Sequence, residues 1–128
     1  MRWLQKLVVL GMFCISFGCG RTTANNQAQN QDPQLAREAL ITALEAWKAG
    51  KLDTLKKQEK PIRFLDDDQR AGWKLVSFEP PDPKLVILPH QDVQVAIVVE
   101  KSRDKQYEKT VTYQIGVHPE RTVLRSDN

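Results

Sequence analysis

Residues 93–117 alternate apolar and polar side chains with a period of two. Val93, Val95, Ile97 and Val99 interleave with Gln94, Ala96, Val98 and Glu100. After Ser102-Arg103-Asp104-Lys105 the alternation resumes in Tyr107, Lys109, Val111, Tyr113, Ile115 and Val117, interleaved with Glu108, Thr110, Thr112 and Gln114. Successive side chains on a strand point to opposite faces, so two such β-branched runs across a short polar turn spell an antiparallel hairpin. One face is apolar and the other is Thr and Gln, which leaves the sheet wet on one side.

Ahead of the hairpin the period is helical. Leu35, Ala36, Ala39, Leu40, Ala43, Leu44 and Trp47 recur at three- and four-residue steps, with Glu38, Glu45 and Lys48 mostly on the other side. Asp32 suits the N-cap, Pro33 the first helical position and Gly50 the exit, so the spacing predicts a helix over residues 33–49, about 25 Å long. Leu52-Asp53-Thr54-Leu55-Lys56-Lys57 reads as a short second helix capped by Asp53. Asp66-Asp67-Asp68-Gln69-Arg70-Ala71-Gly72 reads as one further turn, its acidic start suited to the positive helix end. Trp73-Lys74-Leu75-Val76-Ser77-Phe78 is a predicted strand ended by Pro80-Pro81-Asp82-Pro83. Leu85-Val86-Ile87-Leu88 is a second short one, and Thr122-Val123-Leu124-Arg125 is the last.

Helices first and antiparallel strands afterwards predict an α+β fold, with the long helix in the concave side of a curved antiparallel sheet of about four strands. Leu40, Leu44 and Trp47 are expected to meet Val95, Ile97, Val111, Tyr113 and Ile115. Glu45-Ala46-Trp47-Lys48-Ala49-Gly50-Lys51, the turn before Trp73, and Tyr113-Gln114-Ile115-Gly116-Val117-His118-Pro119-Glu120-Arg121-Thr122-Val123-Leu124-Arg125 together resemble small NTF2-like (cystatin-like superfamily) domains of exported bacterial proteins. The resemblance runs over residues 34–125 and implies a fold. The wider family holds both enzymes with acid–base residues inside the cone and members without activity, and no catalytic motif carries over to this chain.

The first residues give an address. Arg2 and Lys6 precede the apolar run Leu7-Val8-Val9-Leu10-Gly11-Met12-Phe13-Cys14-Ile15-Ser16-Phe17, and residues 7–20 carry no charge. A membrane-spanning helix needs about 20 apolar residues, so this stretch has the length and flanks of a secretory signal peptide. Its exit, Ser16-Phe17-Gly18-Cys19-Gly20, resembles the lipobox of bacterial lipoproteins, with Ser16 where that motif usually has Leu. The resemblance implies cleavage ahead of Cys19 and a lipid on its thiol; plain secretion, with cleavage after Gly20, is the alternative. Arg21-Thr22-Thr23-Ala24-Asn25-Asn26-Gln27-Ala28-Gln29-Asn30-Gln31 has no large apolar residue and reads as a flexible polar tether. The expected layout is a signal peptide over residues 1–18, a lipidated Cys19 and tether over 19–31, and one domain over 32–128.

Removing the leader takes Arg2 and Lys6 from 19 basic residues set against 16 acidic ones, so the net charge of +3 falls close to neutral. A nucleic-acid partner loses its basis. Of the 2 cysteines in the chain only Cys19 survives processing, which excludes an internal disulfide. No residue set carries a catalytic, metal or cofactor assignment. Asp66-Asp67-Asp68 lacks the spacing of a calcium loop and reads as a capped, solvated helix start. His90 and His118 sit beside prolines at strand ends, without a patterned partner; Asp92 and Glu120 are their nearest acidic neighbours in sequence. Lys56, Lys57, Lys60 and Arg63 form a basic group interrupted by Glu59, Trp47 and Trp73 read as core anchors, and the 80–83 segment as a stiff loop.

Three readings follow. The favoured one is a non-enzymatic, membrane-tethered binding or accessory module of the bacterial cell envelope, lipid-anchored through Cys19, with an unidentified protein or small-molecule partner. The second is an NTF2-like small-ligand or isomerase/hydratase-type domain, which requires a cavity between Trp47, Tyr113 and the sheet. The third is a dimerising structural domain, a homodimer through the open sheet face.

Overall fold

A computed structural model describes residues 21–103 and 105–127, with side chains from Asp32 onward. The predicted signal peptide and Cys19 lie outside the described residues. The fold is α+β: a curled five-stranded sheet with few helices. Helix α1 (Arg21–Ala49) is followed by a 3₁₀ segment (Leu52–Lys57), β1 (Ile62–Leu65), α2 (Asp67–Arg70), β2 (Lys74–Phe78), β3 (Asp92–Ser102), β4 (Lys105–Gly116) and β5 (Arg121–Arg125).

The strands lie in the order β1-β5-β4-β3-β2. β3 and β4 form the hairpin, with Val95 opposite Val111 and Val93 opposite Tyr113. β2 adds antiparallel to β3, with a bulge between Leu75 and Ser77, and β5 adds antiparallel to β4. Bulges of this kind sharpen the local twist and bend the strand. At the far edge β1 pairs parallel with β5, Phe64 opposite Val123. The sheet is therefore mixed, with five strands in place of about four antiparallel ones. The extra strand is Ile62-Arg63-Phe64-Leu65, too short for its alternation to stand out. Leu85-Val86-Ile87-Leu88 is not a strand: prolines on both sides and Ile87 alone facing inward leave it a loop.

α1 packs against β1, β2, β4 and β5. Its Ala36, Ala39, Leu40, Ala43, Leu44, Ala46 and Trp47 are buried in one core with Leu75, Val95, Ile97, Val99, Val111, Tyr113, Ile115 and Val123. Pro33 lies inside the helix and not at its start, since α1 begins at Arg21, within the predicted tether, and not at residue 33; Pro33 leaves one carbonyl without an intrahelical donor but does not end the helix. Gly50 ends it, at φ +68°, a conformation that costs glycine little. The 3₁₀ segment starts after Lys51 with no side-chain cap, so Asp53 does not cap it.

Candidate functional site

Register brings a cluster of charge together. Tyr113 faces Arg125 across β4 and β5, and Leu65, opposite Leu124, ends β1 one residue before Asp66. Asp66 is thereby delivered beside both. It is 1% exposed, the buried charged residue of the core, and not the solvated helix start that the acidic run suggests. Its Oδ1 accepts the Gln69 backbone N–H at 3.0 Å, the N-cap bond of α2, and its Oδ2 accepts the Tyr113 hydroxyl at 2.6 Å. The Arg125 Nη1 stands 3.4 Å from both oxygens.

Arg125 extends the cluster. Its Nη1 donates to Asp68 at 2.7 Å, while Nε and Nη2 fork onto the Asp127 carboxylate at 2.7 and 3.1 Å. Lys109 Nζ meets the same Asp68 oxygen at 2.6 Å. Lys109 also lies over the Trp73 ring, 5.1 Å from its centroid, with Lys101 at 5.3 Å and Tyr107 stacked on the ring at 5.8 Å.

The electrostatics follow from these contacts. Burial first, then the neighbouring Asp66 carboxylate, push the Tyr113 hydroxyl well above its ordinary range and hold it protonated. Burial opposes ionisation of Asp68, but bonds from Lys109 and Arg125 outweigh it and hold the carboxyl below its usual value. Asp127 is lowered chiefly by the Arg125 fork, against a smaller effect of burial. For Arg125 burial alone would ease deprotonation; the carboxylates around it win and raise its affinity for its proton. Among the described residues no buried side-chain nitrogen or oxygen is left without a partner. The cluster acts as a clamp: it fastens the end of β1, the start of α2 and the C-terminal tail to the centre of the sheet.

The space between Trp47, Tyr113 and the sheet holds Phe64. Its ring centroid is 5.8 Å from that of Trp47 and 6.3 Å from that of Tyr113. An open groove of about 580 Å³ lies beside it, between the 3₁₀ segment and β1. Leu52, Leu55, Ile62 and Phe64 line this groove, and Lys56, Arg63 and Glu120 stand at it.

The other singled-out residues are dispersed. Trp47 is 4% exposed, and its indole N–H donates to the Trp73 carbonyl at 3.0 Å. His118 pairs with Asp32 at 3.2 Å and not with Glu120, while His90 sits at φ +64° with its backbone N–H on the Ile115 carbonyl. In the basic group Lys57 pairs with Asp53 at 3.7 Å, both exposed, and the Lys60 carbonyl accepts from Arg121. Sequence reasoning missed the Asp66–Tyr113–Arg125 cluster. The available signal was a tyrosine in the apolar phase of a strand, since a buried hydroxyl demands a partner.

Among the described residues no group of three or more His, Cys, Asp or Glu is placed to hold a metal ion, and no helix is long and apolar enough to cross a membrane. Compared with known proteins, the chain matches no family model, no curated protein and no solved structure.

Proposed function

We propose that this chain is an exported envelope lipoprotein, anchored through Cys19, whose folded domain is a non-enzymatic binding or accessory module with an NTF2-like type of architecture. The observation that carries the reading is the order of segments: a positive start, a short apolar run, a small residue before Cys19, a polar stretch, and then a domain. The acyl chains of a modified cysteine supply about 0.8 kcal/mol per buried CH₂, so more than one chain holds the protein at a bilayer without help from its surface. The closed clamp supports the non-enzymatic part. General acid–base work requires a group within reach of substrate, and Tyr113 and Asp66, the pair inside the sheet, are 0% and 1% exposed with their hydrogen bonds made.

The test is the mature N-terminus. Intact mass and peptide mapping of protein from a bacterial membrane fraction should find a lipid-modified Cys19 as the first residue, and Cys19→Ala should leave the leader uncut, with the mass of the unmodified precursor. An unmodified start at Arg21 overturns the reading. One observation favours the small-ligand reading instead: the groove of about 580 Å³ beside Phe64 has the size of a small-molecule site, typically about 300–1,000 Å³. Retention of a small molecule by the native protein, lost on Leu52→Trp at the half-buried wall of the groove, would establish it.

A further inference from the structure

The connection over residues 79–91 has no strand, yet it is tightly fastened. The Arg37 guanidinium donates to the carbonyls of Pro81 at 2.9 Å and Asp82 at 2.7 Å, and also to that of Leu85. The Asp82 carboxylate accepts the Lys84 backbone N–H at 2.8 Å, Ile87 is plugged into the core at 1% exposure, and the His90 N–H holds Ile115. Between these fastenings Leu85, Val86 and Leu88 stand 50%, 64% and 43% exposed. Large apolar side chains clustered on an ordered loop mark a contact surface.

We propose that this loop is a membrane-contact element, with Leu85, Val86 and Leu88 entering the headgroup–acyl boundary of the bilayer. The proposal rests on the tethering reading, and the argument for lipid is one of position. Arg37, which holds the loop, and Asp32, which pairs with His118, stand at the end of the domain where the chain runs back toward Cys19. About a dozen residues separate Cys19 from Asp32, about 18 Å as helix and about 40 Å fully extended. A link that short keeps the loop at high effective concentration beside the bilayer, so a weak apolar contact suffices. Lys84, exposed beside the apolar tip, suits the headgroup level. β3 runs from Asp92 by the loop to Ser102 at the hairpin tip, about 35 Å away, so that tip serves as the control.

The experiment uses the full chain made with its own leader. Cys14 leaves with the leader and a lipidated Cys19 has no free thiol, so Val86→Cys or Ser102→Cys supplies a unique labelling site on an exposed residue. Each variant is labelled with an environment-sensitive fluorophore and reconstituted into phosphatidylethanolamine/phosphatidylglycerol vesicles. The label at position 86 should brighten several-fold, shift to shorter wavelength and be quenched by doxyl-labelled lipid, and the label at 102 should do none of these. Equal behaviour at both positions overturns the proposal while a lipidated Cys19, read by mass, leaves the tether standing. If Cys19 is unmodified, the labels are placed in a Cys19→Ser background and the same vesicles are added. A response at 86 then supports the loop without the tether, and silence overturns both. A response at 86 that grows with protein concentration in the absence of vesicles makes a second copy the occupant and also overturns the proposal.

Discussion

Tyr113 is fully buried, and its hydroxyl donates to Asp66, itself shut away from water. Tyr113→Phe keeps the ring and removes the short bond to Asp66 Oδ2, leaving that oxygen only the 3.4 Å approach of Arg125, so denaturant unfolding should show a loss of about 1–3 kcal/mol. The pH dependence is a second signature. The folded hydroxyl ionises above its unfolded value, so its contribution is complete below about pH 10 and lost as pH rises beyond. The wild type should lose stability in alkali with a slope that Tyr113→Phe reduces. Gly116 is a different kind of constraint. A Cβ there would stand 2.6 Å from Thr122 Oγ1 and 3.2 Å from the His90 ring. Gly116→Ala should therefore lower the melting temperature, at a cost of about 1–3 kcal/mol, and Thr122→Ala should restore part of it. Neither contact is legible in sequence, because Asp66 reaches Tyr113 only through the pairing of β1 with β5, and Thr122 meets Gly116 only through the register of β4 with β5.

Elements were more legible than residues, and for a physical reason. The β3–β4 hairpin and the Leu40–Leu44–Trp47 stripe repeat their period several times, so single exceptions do not hide them. β1 has four residues and takes its place from β5, far along the chain, which no local pattern records. The 85–88 segment misled for the opposite reason: its composition suits a strand, but prolines bound it and Arg37 takes the Leu85 carbonyl along with those of Pro81 and Asp82 just before it. Arg37 is thus the fastening of an element without regular structure. Arg37→Ala should leave the circular-dichroism spectrum unchanged while trypsin cuts faster after Lys84, as a loosened loop admits the protease. An unchanged cleavage rate would show that Ile87 and Pro81 hold the loop alone.

At the scale of the molecule the clamp joins segments that share no neighbourhood in sequence: Asp66 and Asp68 after β1, Lys109 and Tyr113 on β4, Arg125 and Asp127 at the end. Asp68 and Asp127 both ionise below their unfolded values. Their stabilisation is complete above about pH 4 and disappears as pH falls through the lower folded values. Acid titration followed by tryptophan fluorescence should therefore show unfolding below about pH 4, with a shallower decline in the Asp68→Asn variant, which starts from a lower stability at neutral pH. The acidic run was visible as a helix start; its partner at residue 125 was not, since a lone arginine near a terminus looks the same whether it is clamped or free. The parallel pairing of β1 with β5 has a further bearing on synthesis. β1 is made well before β5, so the edge of the sheet stays open and the Asp66 side chain lacks its arginine until residues 121–125 have emerged. A nascent chain of this design remains threadable until β5 is out and locks only then.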